Sequence, residues 1–172
     1  TAQSRYRDVS LLTDAMLLSN RVYLEVFGEG KDSAENPQTR QLLLFGLLSL
    51  LIVFHSDCLY VDGALQHWEQ ADNFGQFTQS IKANYGICLY GATSLMLLRW
   101  GFTSNINQQL WKLCHAGNDI RITPQQYRIV ATHDLTVTAL LFGKAHADTQ
   151  LNNYSALSAT EREALRPLLA RL

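Results

Sequence analysis

His133 and Asp134, adjacent in the run Thr132-His133-Asp134, carry the side chains with the widest chemistry in this sequence. An imidazole beside a carboxylate offers either metal ligands or an acid/base pair. On a helix, however, neighbours point about 100° apart, so one ion does not easily take both. His55 and Asp57 form a looser second pair, which reads more simply as a helix end with a capping aspartate and a solvated imidazole. His67, His115 and His146 stand alone, and no two of the five histidines share the i, i+4 spacing of a helical metal site. Each is expected to be a surface histidine or a satisfied core one.

Other reactive combinations lack their parts. Neither H-E-x-x-H, a G-x-S-x-G elbow nor a glycine-rich loop ending in lysine occurs. Cys58, Cys88 and Cys114 are odd in number and far apart, and they read as small buried hydrophobes in a reducing compartment. Trp68, Trp100 and Trp111 fall on apolar stripes without interleaved Lys or Arg, so core packing is expected rather than nucleic-acid stacking. The 14 Lys+Arg against 15 Asp+Glu leave a formal charge of −1, which supplies no global field for nucleic acid or anionic lipid.

The elements that must position these residues read as helices. With 172 residues, 47% of them hydrophobic, the chain suffices for one domain with its own core, spanning 1–172. Its opening TAQSRYRDV lacks both an initiator Met and the order of a signal peptide, and is read as the start of a fragment missing N-terminal helices. Val9, Leu12, Met16, Ser19, Tyr23 and Val26 make one helical stripe that stops at Gly28. The run LLLFGLLSLLIVF at 42–54 is too short for the ~20 residues of a membrane span and is expected to be a central core helix, with Leu48 inside it.

A short helix is expected through Leu65 and Trp68, capped by Asp62, and another from Phe74 to Tyr85, ending at Gly86. ICLYGATSLMLLRW leads to Gly101, and Ser104 caps NINQQLWKLCHA before Gly117. Thr123 and Pro124 open QQYRIVATHDLTVTALLF, which stops at Gly143. Ser158 and Glu161 form a capping box for the last helix, which Pro167 is expected to kink or shorten. Seven or eight helices without strand signals predict an all-α, compact, irregular multi-helix bundle.

Two stretches, LLFGLLSLLIVF and SLMLLRWGFTSNINQQLWKLCHAG, resemble the HDOD family, a helical regulatory offshoot of the HD metal-dependent phosphohydrolases. The family's AFLAGLLHDIGKL is matched by the Gly46-Leu47-Leu48 lead, and its Arg-Trp-Gly turn by Arg99-Trp100-Gly101. YRIVATHDLTVTALLFG and LSATEREALRPLLARL are similar to two later family helices, so the resemblance runs from Asp14 to the C-terminus. It implies that the Trp100 indole locks its helix against the next one, with Gly101 in a left-handed conformation.

The resemblance also implies a lost metal site. Ser49 and Leu50 stand where the metal-binding His-Asp would be, and the flanking histidine positions fall near Leu12 or Thr13 and near Leu89. Asp134 alone matches a ligand position, with His115 a residue or two from another. The implied protein is a bacterial, cytoplasmic signal-transduction domain without catalysis, metal or cofactor. It would act through a protein partner or a small signalling ligand, with His115, His133 and Asp134 as the candidate ligand-binding residues. One alternative is a metal-dependent phosphohydrolase that rebuilds a site from His133, Asp134 and His115. Another is a nucleic-acid-linked regulator.

Overall fold

A computed structural model describes residues 9–28, 37, 64–86, 88–102, 105, 107–108 and 123–172. The apolar run at 42–54, with Leu48, Ser49 and Leu50, lies outside the described residues, as do His55, Asp57 and His115. Among the described residues seven helices follow one another: α1 (Val9–Phe27), α2 (Ala64–Gln70), α3 (Phe74–Tyr85), α4 (Leu89–Arg99), α5 (Pro124–Phe142), α6 (Lys144–Leu151) and α7 (Ala159–Ala170). The fold is all-α, with no strand among the described residues, as the spacing of the apolar positions predicts.

Local chemistry explains most of the boundaries. α3 starts where Asn73 Oδ1 accepts from the Gln76 N–H at 3.1 Å, and ends at Gly86, whose φ of 70° suits a residue without Cβ. α5 opens on a capping box: Thr123 Oγ1 accepts from Gln126 N–H at 3.2 Å, and Gln126 Oε1 accepts from Thr123 N–H at 2.9 Å. The Ser158–Glu161 box does the same for α7 at 3.1 and 2.8 Å. α7 runs through Pro167 to Ala170 and is not shortened there. Pro167 sits on the exposed side, and the opposite side is anchored by buried Leu165 and Leu169.

α6 has no counterpart in the sequence reading. It follows α5 after the single residue Gly143, has no side-chain cap at its start, and buries only Ala147, Gln150 and Leu151. Without a cap or a wide apolar stripe, a helix gives no local signal.

α5 is the axis of the core. Twelve of its 19 residues are buried, including the continuous run from Ala131 to Ala139. α1 packs along one side of it and α6 folds back along another, while α7 contacts α1, α5 and α6. The Trp68 indole stacks on Phe77 with ring centroids 4.9 Å apart, and Phe74 meets Tyr90 edge-on at 5.3 Å. These aromatic contacts join α2, α3 and α4.

The resemblance-based expectation for Trp100 fails. Its indole is 61% exposed rather than buried, and most of the helix it was expected to lock against lies outside the described residues. Trp100 is the cap residue of α4, beyond the buried series Leu89, Tyr90, Thr93, Ser94 and Leu97. The chain then turns away: Gly101 N–H donates to Leu98 O at 3.0 Å and Phe102 N–H to Leu97 O at 3.0 Å, the paired bonds of a Schellman motif. Gly101 has φ 82°, the left-handed conformation expected of it.

Candidate functional site

The two halves of the His133-Asp134 pair belong to different faces of α5. Asp134 is 1% exposed and points toward α2 and the link between α6 and α7. Trp68 Nε1–H donates to Asp134 Oδ1 at 2.9 Å, and the Tyr154 hydroxyl donates to Oδ2. Thr138 Oγ1 lies 3.5 Å from Oδ1 and 3.2 Å from Gln150 Oε1, so its single proton is shared between the two.

The network continues into the α2–α3 turn. Gln150 Nε2 donates to Ala71 O at 2.9 Å, Asn153 Nδ2 to Asp72 O at 3.0 Å, and Phe74 N–H to the Tyr154 oxygen at 3.0 Å. The turn before α3 is thereby tied to the end of α6 and the residues just beyond it. Further out, Arg128 pairs with Glu161 at 2.6 Å and Arg166 pairs with Asp148, which hold α7 to α5 and α6.

Burial pushes the Asp134 carboxyl up to about 6, with the Tyr154, Trp68 and Thr138 donors pulling the other way. At neutral pH the carboxylate therefore predominates, which suits a group whose neighbours are donors. Burial also raises Tyr154 well above its ordinary value, and the Asp134 charge adds to that.

His133 is 1% exposed, and neither ring nitrogen has a hydrogen-bond partner among the described residues. Burial alone holds it down at about 3, so it is neutral across the physiological range. The expectation of a surface or satisfied histidine, made for those that stand alone in the sequence, does not extend to His133. His67 meets it, with Nδ1 2.9 Å from the Ser80 hydroxyl, and so does His146, half-buried against the Phe142 ring. A neutral imidazole in the core keeps one donor and one acceptor, each costly to leave unmade.

Three of the partners around Asp134 were not singled out in the sequence as polar partners. Trp68 lies 66 residues before it, and Tyr154 and Gln150 lie 20 and 16 residues after. Nothing in their local sequence couples them. Cys88, expected to be buried, is half-buried against the core. Among the described residues there is no group of three or more His, Cys, Asp or Glu placed to hold a metal ion. No described helix is long and apolar enough to cross a membrane. Compared with known proteins, the chain matches no family model, no curated sequence and no solved structure.

Proposed function

We propose that this chain is a regulatory domain of signal transduction that works by binding, through a protein partner or a small signalling ligand, and not by turnover. The observation that carries this reading is the state of Asp134. Both carboxylate oxygens accept hydrogen bonds from buried Trp68 and Tyr154, so the carboxylate acts as a strut between α5, α2 and the α6–α7 link. A divalent cation there would have to displace those donors, and the described residues bring no second carboxylate or imidazole to help hold it. His133 turns away from Asp134, so the pair does not converge on one reacting atom.

The resemblance to the HDOD family supports the same reading, with Ser49 and Leu50 in place of the metal-binding pair. It also supports a bacterial, cytoplasmic setting. A metal-dependent hydrolase works by lowering the pKa of a bound water and stabilising charge on phosphoryl oxygens. General-base catalysis by an imidazole alone contributes only ~10²–10⁴-fold, far below what phosphate-ester hydrolysis demands.

The test is an assay of phosphomonoesters, nucleotides and cyclic dinucleotides with Mn²⁺ or Mg²⁺, together with elemental analysis of the purified chain. Rates at the blank level are expected, with no stoichiometric metal. Turnover that survives repurification and is lost in Asp134→Asn would overturn the reading in favour of a rebuilt phosphohydrolase site.

A further inference from the structure

α1 is the described helix that packs most extensively on α5, yet among the described residues unmade hydrogen bonds are concentrated on these two helices. The Arg128 guanidinium lies 5.4 Å from the centroid of the Phe27 ring, which sets the end of α1 beside the start of α5. For the two helices to pack along each other from that point, they must run in opposite directions. Counting back from Phe27 while counting forward from Arg128 brings Ser19 level with Thr136, and Asn20 one residue away.

At 100° per residue, His133 and Thr136 lie 60° apart on α5, on the flank away from Asp134 and Thr138. The buried side-chain atoms without a hydrogen-bond partner include Ser19 Oγ, Asn20 Oδ1, both His133 nitrogens and Thr136 Oγ1. Buried polar atoms without partners are rare in folded proteins, and each carries a desolvation cost comparable to the gain from burying an apolar side chain. Ala15, Val22, Tyr23 and Phe27 favour docking of α1, and the unmet polar groups oppose it.

The remaining sides of α5 show the reverse. Asp134 is bonded to Trp68 and Tyr154, Thr138 to Gln150, and Arg128 to Glu161, so α2, α6 and α7 are held by made bonds.

We infer that α1 is a strap: it lifts from α5 as a unit while α2, α6 and α7 stay in place, and lifting uncovers Ser19 and Thr136 to hydrogen-bonding partners. The inference does not rest on the HDOD reading, because an enzyme with the same seam would open in the same way. Opening exposes the apolar stripe of α1 but relieves the unpartnered groups, so it lies below global unfolding.

Native-state hydrogen exchange of the whole chain tests this. Amides of Ser19 to Phe27 are expected to exchange at least about tenfold faster than those of Ile129 to Ala139, with a weaker denaturant dependence. Thr136→Val keeps the shape and removes the unmet hydroxyl, and should slow α1 exchange by about tenfold; Ser19→Ala should act in the same direction and serves as the second variant. Identical exchange of α1 and α5 with one denaturant slope would overturn the inference. So would faster α1 exchange in both variants, since that would mean the hydroxyls are satisfied in solution.

Discussion

His133 and Asp134 are neighbours in sequence, equally buried, and opposite in circumstance. Asp134 faces donors contributed by α2 and the α6–α7 link and serves as a junction between elements far apart in the chain. His133 faces away, has no hydrogen-bond partner among the described residues, and stays neutral because burial forbids the charge. One helical step separates a polar group that organises the core from one that the core tolerates. Burial therefore says little about a polar residue until its partners are known, and on a helix those partners change completely within 100°.

The contrast has opposite signs in acid and base. His133 is lowered from 6.5 to about 3, so the unfolded chain binds its proton first. The stability it contributes is present above pH 6.5 and is lost as pH falls through 3. Asp134 is raised from 3.8 to about 6, so its contribution is present below pH 3.8 and is lost as pH rises through 6. Between roughly pH 4 and 6 the two slopes cancel, and the wild-type chain should show little change from this pair.

Removing one partner reveals the other. In Asp134→Asn, stability should fall from pH 6.5 to 3 by about 5 kcal/mol, since 6.5 − 3 = 3.5 pH units at about 1.36 kcal/mol each. In His133→Leu, stability should instead fall as pH rises from 3.8 to 6, by about 3 kcal/mol over 2.2 units. Urea unfolding midpoints across pH 3–7 measure both. Parallel curves for the two variants would refute the opposed shifts of the two groups.

The made side of α5 should also be the expensive side to cut. Trp68→Ala removes a fully buried indole, its stacking on Phe77 and its bond to Asp134, and should cost about 3–5 kcal/mol. Tyr154→Phe keeps the ring but removes the donor to Asp134 and the acceptor of the Phe74 N–H, for about 2 kcal/mol. Chemical denaturation gives both values. A loss below about 0.5 kcal/mol in either would show that the network contributes no net stability.

How much of this was legible in sequence follows from the range of each signal. Thr123, Pro124 and Ser158 mark helix starts because a cap bonds to backbone within three residues. Gly86 and Gly101 mark helix ends for an equally local reason, their positive φ. α6 left no mark, since Gly143 offers no capping side chain and the burial of Ala147 and Gln150 is set by α5. For the candidate site, the 100° divergence of His133 and Asp134 is local and was readable. The pairing of Asp134 with Trp68 and Tyr154 depends on how distant helices dock, and no spacing encodes that. The same limit produced the error at Trp100, where an apolar aromatic at a helix end was assigned a neighbour.

The tip of α4 gives the smallest and most discriminating effects, because there the backbone conformation was readable and the side-chain packing was not. Gly101 holds φ at 82° with open space where a Cβ would stand, so Gly101→Val meets backbone strain without a clash against neighbours. Left-handed backbone costs an L-residue about 1–2 kcal/mol, and a β-branched one sits at the upper end. Trp100→Ala, one residue earlier, removes a ring already 61% in solvent and should change stability by less than about 0.5 kcal/mol. Thermal or urea melts of the two variants separate the cases. If Trp100→Ala cost as much as Trp68→Ala, the indole would be packed in solution, and the helix-locking role implied by the HDOD resemblance would have to be restored.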